Sequence, residues 1–421
     1  MNWIVKKFKI FIIFFVILFI LSNQLLADDI DFEGFDNSSL ILEASSSIDE
    51  ENIPTINSRS AIVYDRNSGT VLFGKNENEK RKMASTTKIM TCLIVLENAN
   101  LDDIATVSSK AAGTGGSRLG LHTNDKISVR NLLYGLMLCS GNDAAVALAE
   151  HVGGNIQNFA DLMNTKALEL GLSSTHFVTP HGLDNDEHYT TAYELAVITN
   201  YALKNEIFKN IVGTKSQTIT INNYSKTLTN TNELLGNLNG VYGVKTGFTN
   251  GANRCLVTAV KRDNMDIICI VLGADTKKDR TQDSIKLIEY VFANFSPFNL
   301  KEKIITEFEN WKLCNINSFK ISKGITNDID LCLEELNYDF LPLNSNQIQN
   351  LNIYIYCDYI FEAPLERNHI LGYLTVYINA KNILTLNIYN SNFISKKDYL
   401  TFFSDLLKDY VYYLESVFYF H

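Results

Sequence analysis

The sequence lacks the residue patterns that mark several common protein classes. Its seven cysteines are dispersed and odd in number, and it contains no Cys-x-x-Cys or His-x-x-x-His pair. Neither a disulfide framework nor a metal site is therefore expected. Basic residues are in deficit, with 37 Lys and Arg against 47 Asp and Glu and a formal charge of −10. An acidic chain gains nothing by neutralising phosphates, so we expect no nucleic-acid partner.

Long apolar runs are also lacking, with one exception near the N-terminus. Residues 10–21 are all apolar, three lysines precede them, and the small residue Ala27 follows. The run is shorter than the roughly 20 residues that a membrane-spanning helix needs. The pattern is typical of a secretory signal peptide over residues 1–27, and an uncleaved N-terminal anchor is the alternative. Both interpretations place the rest of the chain outside the cytoplasm, at the cell envelope.

The remaining composition is that of an ordinary globular protein, with 46% hydrophobic and 20% charged residues in 421. This excludes disorder throughout, collagen-like repetition and a multi-span membrane protein, and it allows two to three domains of roughly 150 residues. Residues 28–60 are rich in Asp and Glu, contain a serine cluster and show no sustained period. We predict a disordered acidic linker there.

Residues 61–295 have the pattern of an α/β (α+β) domain. Two hairpins are predicted, one from the apolar runs 61–64 and 70–73 and one from 255–260 and 267–272, because turn-rich spacers separate each pair. Helical patterns occur at 89–96, 129–139, 143–152, 156–170, 192–203 and 280–295. This order predicts an antiparallel sheet that is completed by both ends of the domain and flanked by helices.

The first of three chemical motifs is Ser85-x-x-Lys88, at the entry to the apolar helix 89–96. Residues three apart share one face of a helix, so Lys88 can direct its amine at the Ser85 hydroxyl. A serine needs a nearby base to act as a nucleophile, and burial in apolar surroundings favours the neutral amine that can accept a proton. The alternative is a helix-capping serine followed by an incidental surface lysine.

The second motif, Ser140-Gly141-Asn142, occupies a short break between two predicted helices. Ser140 could relay a proton, and Asn142 offers both a donor and an acceptor to a substrate amide. Taken alone, a plain turn in which the asparagine caps the next helix is the favoured interpretation.

The third motif is Lys245-Thr246-Gly247, followed by Phe248, just before the strand at 255–260. A strand edge that lacks a side chain at Gly247 would let a substrate backbone pair with it as an extra strand. Lys245 and Thr246 would then bind a terminal carboxylate. The alternative for this motif alone is a surface turn.

Ser-x-x-Lys, Ser-x-Asn and Lys-Thr-Gly in this order are the signature set of active-site serine penicillin-recognising enzymes. Residues 61–295 resemble the catalytic domain of the low-molecular-weight penicillin-binding proteins, the serine-type D-alanyl-D-alanine carboxypeptidases. Longer matches at 83–91, 140–145, 179–192 and 244–249 carry the resemblance. The segment 252–256 departs from it, because many relatives have Ala-Gly there.

The resemblance implies a β-lactamase/transpeptidase-like fold and a specific reaction. Ser85 would attack the carbonyl between the two terminal D-alanines of a peptidoglycan stem peptide, and Lys88 would take its proton. Ser140, oriented by Lys245, would pass a proton to the departing D-alanine, and water would hydrolyse the acyl-enzyme.

The resemblance also assigns the surroundings of that reaction. The oxyanion would lie between the backbone N–H groups of Ser85 and Phe248, and β-lactam antibiotics would acylate Ser85. No cofactor or metal is implied. His181 and His188 are expected to be structural, because a Ser/Lys mechanism leaves them no required role.

Three rival functions share these motifs. A β-lactamase needs a positioned carboxylate, for which Asp184 and Glu187 are available, although no Glu-x-x-Leu-Asn segment is present. A D,D-endopeptidase would cut cross-links with the same site. A non-catalytic wall-binding protein would use the same cleft without chemistry.

The C-terminal third gives a weaker signal. Alternating runs at 351–355, 374–378 and 384–388 predict a small β-sandwich accessory domain over residues 296–390. Residues 391–421 predict an amphipathic helix, which fits either a membrane-surface anchor or packing on the accessory domain or a partner. Its apolar residues recur at spacings of three and four, at Tyr399, Phe402, Phe403, Leu406, Tyr410, Tyr413, Leu414 and Val417.

Overall fold

The structure, a computed structural model, describes residues 53–418. The predicted signal peptide and most of the predicted acidic linker lie outside these residues. The chain divides into two compact units, and the division falls between Asn294 and Phe295.

The last residues of the predicted linker belong to the first unit. Ile56, Ser58 and Ser60 are buried. The backbone N–H and hydroxyl of Ser58 both donate to Asp283 Oδ2, at 2.7 and 2.6 Å. The predicted linker is therefore too long at its C-terminal end. The small polar residues there occupy buried, hydrogen-bonded positions instead of solvated ones.

Nine strands lie in the part of the first unit that the structure describes, residues 53–294. They are β1 (Ser60–Asp65), β2 (Val71–Lys75), β3 (Ile104–Thr106), β4 (Lys126–Ser128), β5 (Ser216–Ile221), β6 (Tyr224–Thr229), β7 (Val241–Thr249), β8 (Asn253–Arg262) and β9 (Met265–Ala274). Five of them form an antiparallel sheet in the order β2-β1-β9-β8-β7. Both predicted hairpins are confirmed, and the sheet is completed by the two ends of the unit, as predicted.

Among the same described residues, eight α-helices accompany these strands. They are α1 (Lys88–Asn98), α2 (Ser109–Ala112), α3 (Val129–Met137), α4 (Asn142–Gly153), α5 (Ile156–Glu169), α6 (Ala192–Ala202), α7 (Glu206–Val212) and α8 (Lys277–Asn294). Polar residues cap the N-termini of several helices. The side chains of Ser128, Asn155 and Thr191 each accept a hydrogen bond from a backbone N–H of the first turn. All six predicted helices are present, whereas α7 and the β5–β6 hairpin were not predicted.

The centre of the first unit is α1, which positions the site. Its residues from Lys88 to Val95 are all buried, as expected for a helix that is apolar on nearly every side. Strand β7 forms one edge of the sheet, and it packs against the 3-10 turn Ala84–Thr87 that precedes α1. The first and third motifs are thereby brought together.

As far as it is described, to residue 418, the second unit combines eight strands with three α-helices. They are β10 (Ser296–Asn299), α9 (Leu300–Asn315), β11 (Lys320–Ser322), β12 (Leu331–Leu333), β13 (Phe340–Leu343), α10 (Ser345–Gln349), β14 (Leu351–Cys357), β15 (Ile360–Glu362), β16 (Ile370–Ile378), β17 (Lys381–Asn390) and α11 (Tyr399–Phe418). The three strands predicted from alternating runs are confirmed as β14, β16 and β17.

The second unit differs from the predicted sandwich. Its main sheet has four antiparallel strands in the order β12-β17-β16-β14, and the other described strands form only two-stranded ladders. Helix α9 covers the inner face instead of a second full sheet: Leu300, Ile304 and Phe308 share one core with Leu374 and Val376 of β16. The spacing of four between the α9 residues is helical, and the sequence-based prediction overlooked it.

Helix α11 exposes its apolar side chains. Leu400, Phe403, Leu407 and Val411 recur on one face, and between 49% and 83% of each is exposed to solvent. These side chains therefore do not pack on the accessory unit, which was one of the two predicted alternatives. Within residues 53–418, no helix is both long and apolar enough to cross a membrane.

Candidate active site

Ser85 lies in the tight turn that leads into α1. The turn is closed by the hydroxyls of Thr86 and Thr87, which donate to Met83 O at 2.6 Å and to Ala84 O at 2.8 Å. Ala84 adopts a φ of 47°, a left-handed conformation that is unfavourable for any residue but glycine. Backbone strain of this kind persists where the surrounding structure over-determines it, and it is frequent at functional sites. Ser85 itself is buried.

Lys88 is fully buried, and its Nζ contacts three oxygen atoms. These are Ser85 Oγ at 2.8 Å, Asn142 Oδ1 at 2.6 Å and the backbone oxygen of His181 at 3.0 Å. The predicted approach of Lys88 to Ser85 across one helical turn is therefore present. A neutral amine has two N–H donors and one lone pair. Two of the three contacts can use the donors, and the lone pair can accept the Ser85 proton.

The second motif joins α3 to α4 and contacts the first motif through Asn142. The Asn142 backbone N–H donates to Ser117 O at 2.7 Å, and Nδ2 donates to Gly115 O at 2.9 Å. With Oδ1 on Lys88, the asparagine side chain is directed into the protein. It does not present Oδ1 to a substrate amide, as the residues alone suggested. Its position instead orients the Lys88 amine.

Ser140 is held in a strained conformation, with a φ of 59°. Its Oγ is buried and has no hydrogen-bond partner within residues 53–418. The resemblance implies that Lys245 orients this hydroxyl, but no hydrogen bond joins the two side chains; the Lys245 Nζ donates to Thr246 O at 3.1 Å. Catalytic hydrogen bonds are often long before substrate binds and tighten in the complex. A buried hydroxyl without a partner is suited to accept one from a ligand.

The third motif lies within the edge strand β7, directly against the nucleophile turn. A Cβ at Gly247 would be 3.1 Å from Ser85 N, 3.2 Å from Ala84 Cβ and 3.2 Å from Met83 O. The missing side chain therefore allows the β7 backbone to approach the Ser85 N–H. On the next residue, the Phe248 ring lies under Arg254, whose guanidinium carbon is 3.7 Å from the ring centroid.

Thr231 belongs to the site but was missed by the sequence analysis. Its Oγ1 lies 2.8 Å from Thr246 Oγ1, and its backbone N–H donates to Leu138 O at 3.1 Å. Thr231 thus connects Leu138, two residues before the second motif, to Thr246 of the third motif. No local pattern distinguishes Thr231 from the other threonines and asparagines around it, because its role depends on a contact 15 residues away.

The two carboxylates considered for a β-lactamase are placed elsewhere. Asp184 accepts hydrogen bonds on both oxygens, from Thr249 Oγ1 and from Gly251 N, each at 2.7 Å. It therefore fixes the turn after β7. The side chain of Glu187 is exposed to solvent. Among residues 53–418, no group of three potential metal ligands occurs.

Two buried histidines support the nucleophile turn from behind. His188 Nδ1 accepts the Val178 N–H at 3.0 Å, so its Nε2 donates to Thr87 Oγ1 at 2.8 Å. Burial lowers the pKa of His188 to about 4. Burial lowers the pKa of His181 to about 3, and Lys88 adds to this lowering when its amine is protonated. Both rings are neutral at physiological pH, which agrees with their predicted structural role.

The depressed pKa of His188 predicts a loss of stability in acid. Between its usual pKa of 6.5 and the folded value of about 4, the unfolded chain binds a proton that the folded protein does not. Stability therefore falls as the pH drops from 6.5 to 4. We expect the loss of unfolding free energy between pH 7 and pH 4 to be larger in the wild type than in a His188→Gln variant by about 1–3 kcal/mol. Urea unfolding at both pH values measures this, and equal losses would contradict it.

Comparison with known proteins agrees with this geometry. A sequence profile of the D-alanyl-D-alanine carboxypeptidase family matches residues 47–276, more than half of the chain. The D-alanyl-D-alanine carboxypeptidase DacF of Bacillus subtilis is 32% identical over 358 residues, which cover 84% of this chain and 90% of that protein. DacA of Haemophilus influenzae is 32% identical over 349 residues, which cover 80% and 84%.

Solved structures give the same result. Penicillin binding protein 5 from Haemophilus influenzae superimposes with a TM-score of 0.68 at 28% identity and covers 82% of this chain and 99% of its own. DacD from Francisella tularensis gives a TM-score of 0.64 at 26% identity, covering 86% and 99%. The chain therefore belongs to the family of serine D-alanyl-D-alanine carboxypeptidases. The fold class, the family and the enzyme class predicted from the three motifs are confirmed.

Proposed function

We propose that this protein removes the terminal D-alanine from peptidoglycan stem pentapeptides through an acyl-enzyme on Ser85. The observation that carries the proposal is the set of contacts around the buried Lys88 amine. Asn142 Oδ1 and His181 O can accept its two N–H groups, so its lone pair faces the Ser85 hydroxyl at 2.8 Å. A base held this close activates a serine nucleophile.

The proposed reaction has two steps, the acylation of Ser85 and the hydrolysis of the acyl-enzyme. Ser85 Oγ bonds to the carbonyl carbon between the two terminal D-alanines, and its proton passes to Lys88 Nζ. The backbone N–H groups of Ser85 and Phe248 stabilise the negative charge on the carbonyl oxygen. The C–N bond then breaks, and the departing amine of D-alanine takes a proton from Ser140, which is resupplied from Lys88. Water attacks the ester and releases the shortened peptide.

Substrate recognition is assigned to the edge strand β7. A stem peptide would pair with its backbone as an added strand, since no other strand of the described sheet flanks β7 on that side. Gly247 keeps the β7 backbone close to the Ser85 turn, and Lys245 and Thr246 would bind the C-terminal carboxylate. Thr231 would hold the Thr246 hydroxyl in place through the 2.8 Å contact between them.

Acylation by a fluorescent penicillin tests the role of Ser85. Intact-mass analysis of the wild type should show one penicilloyl adduct that persists. A β-lactam mimics the substrate, and the ester that it forms with Ser85 is hydrolysed slowly. The Ser85→Ala variant should show none, and Ser109→Ala, which truncates an exposed serine on α2, should acylate like the wild type. D-alanine release from a stem pentapeptide should follow the same order.

The same experiment separates the rival functions. An adduct that vanishes within seconds would replace the proposal with a β-lactamase. Cleavage of cross-linked muropeptides without D-alanine release from pentapeptide would indicate a D,D-endopeptidase. A folded wild type that forms no adduct would leave the non-catalytic wall-binding role.

We further propose that the protein is exported and that α11 binds the membrane surface. The substrate lies outside the cytoplasm, and residues 1–27 have the pattern of a secretory signal. On α11, the exposed stripe of Leu400, Phe403, Leu407 and Val411 can enter the interface between headgroups and acyl chains. The acidic residues of the helix would repel anionic lipids, so zwitterionic membranes are the expected surface.

Vesicle sedimentation tests the role of α11. The chain from Asp28 onward, which lacks the apolar N-terminal segment, should pellet with phosphatidylcholine vesicles. Phe403→Glu combined with Leu407→Glu should weaken binding at least about tenfold, because two large apolar side chains no longer enter the interface. A Thr401→Glu control, on another face of the same helix, should bind almost as the wild type does. Equal binding by all three proteins would refute the proposal.

A further inference from the structure

The outward face of the main sheet in the second unit carries a patch of four tyrosines, Tyr354, Tyr356, Tyr373 and Tyr377, which we call the tyrosine face. Tyr356 lies directly opposite Tyr373 in the β14–β16 pairing, and their ring centroids are 5.2 Å apart. The Tyr354 and Tyr377 rings are 5.7 Å apart in an edge-to-face arrangement. The four rings therefore form two adjacent pairs on one surface.

The tyrosine face is not needed to build the core. The alternate residues of the same strands, Ile353, Ile355, Leu374 and Val376, face inward and pack in the core of the unit. Tyr354, Tyr356 and Tyr373 remain 46–49% exposed, and within residues 53–418 no hydrogen bond uses the hydroxyl of any of the four tyrosines. A contiguous aromatic patch of this kind on a soluble surface marks a binding site more often than a structural element.

The chemistry of the tyrosine face narrows the choice of ligand. Neither β14 nor β16 contains a charged residue, although 20% of the whole chain is charged. Amides flank the rings, since Asn352 lies opposite Tyr377 and Asn387 lies opposite Tyr373. The surface thus combines flat rings, free phenolic hydroxyls and amide groups, and the Glu334 carboxylate, which accepts from Asn387 Nδ2 at 2.8 Å, places a charge at its rim.

We propose that the tyrosine face binds the glycan strand of peptidoglycan, an uncharged chain of N-acetylated amino sugars. A sugar ring presents C–H bonds on its faces, which pack on aromatic rings, and presents hydroxyl and acetamido groups at its edge, which pair with phenols and amides. An uncharged polymer matches two strands that contain no charged residue. Only the choice of polymer rests on the proposed function, because the stem peptides are attached to such strands.

Calorimetric titration of the full chain with chitohexaose, a β-linked hexamer of N-acetylglucosamine, tests the proposal. Chitohexaose has no peptide, so the result does not depend on the serine chemistry, and Ser85→Ala should bind it as the wild type does. Tyr356→Ala combined with Tyr373→Ala should weaken binding at least about tenfold. Tyr354→Ala combined with Tyr377→Ala, an independent truncation of the same face, should do likewise.

Three controls make the outcome decisive. Tyr356→Phe combined with Tyr373→Phe retains the rings and should keep most of the affinity. Tyr224→Ala removes a tyrosine that is 43% exposed on β6 of the first unit and should change nothing. No binding of chitohexaose by the wild type, equal binding of maltohexaose, or binding that survives both double alanine variants would overturn the proposal. Loss of vesicle binding in those variants, without loss of sugar binding, would assign the face to lipid instead.

Discussion

Replacing Lys88 by methionine is expected to slow the acylation of Ser85 by penicillin at least about a thousandfold. Methionine has a similar length and fills the buried site, but its thioether sulfur is too weak a base to take the Ser85 proton. It also leaves Asn142 Oδ1 and His181 O without the amine that they contact at 2.6 and 3.0 Å. The second-order rate constant for a fluorescent penicillin, measured on purified protein, gives the size of the loss.

A second lysine provides the matched control. Lys166 is partly buried and lies on α5, and its Nζ pairs with Glu97 and Glu169, at 3.0 and 2.7 Å, rather than with Ser85. Lys166→Met should acylate within about twofold of the wild type. If folded Lys88→Met protein, as judged by circular dichroism, acylated at a rate close to that of Lys166→Met, then Lys88 would not be the base.

The sequence predicted those parts of the site that depend on local geometry. The contact between Ser85 and Lys88 follows from the helical repeat, because residues three apart share a face. The central position of α1 follows from its unbroken apolar character. Where the reacting side chains lie at one helix, their spacing in the sequence was sufficient to predict the contact between them.

Contacts between distant segments could not be predicted in this way. From its residue type alone, Asn142 could bind a substrate amide or, as the favoured interpretation, cap the next helix, whereas the structure directs its Oδ1 to Lys88, 54 residues away. Thr231 carries no local signal, and its contact with Thr246 exists only once β7 is placed. The resemblance implied that Lys245 orients Ser140, whereas the Lys245 Nζ donates to Thr246 O and the Ser140 hydroxyl has no hydrogen-bond partner within residues 53–418.

The errors in the fold have similar causes. The pattern of α9 was overlooked because the neighbouring alternating strands suggested a second sheet. The end of the acidic linker is composed of small polar residues, which are equally suited to solvent and to the buried hydrogen bonds of Ser58 with Asp283. In both places, packing against another segment decides the structure, and that segment is far away in the sequence.

Replacing Gly182 by alanine is expected to destabilise the protein by at least about 3 kcal/mol and to reduce acylation of Ser85. Gly182 follows His181 and packs against the back of the nucleophile turn. A Cβ at this position would overlap the Ala84 carbonyl oxygen and lie 2.5 Å from Thr87 Oγ1. These two atoms are hydrogen-bonded to each other at 2.8 Å and close the turn that holds Ser85. An added methyl group therefore has to push that turn away from Lys88.

Gly171 separates steric overlap from backbone strain. Its φ of 75° is close to the 85° of Gly182, but a Cβ at Gly171 would meet no atom within 4 Å. Gly171→Ala should therefore cost only about 1 kcal/mol, the penalty for a left-handed alanine, and should leave acylation unchanged. Urea unfolding and the penicillin rate constant are measured for both variants. Equal costs would mean that Gly182 is required only for its conformation, whereas a larger cost and slower acylation at Gly182 alone would show that its bare backbone positions the nucleophile.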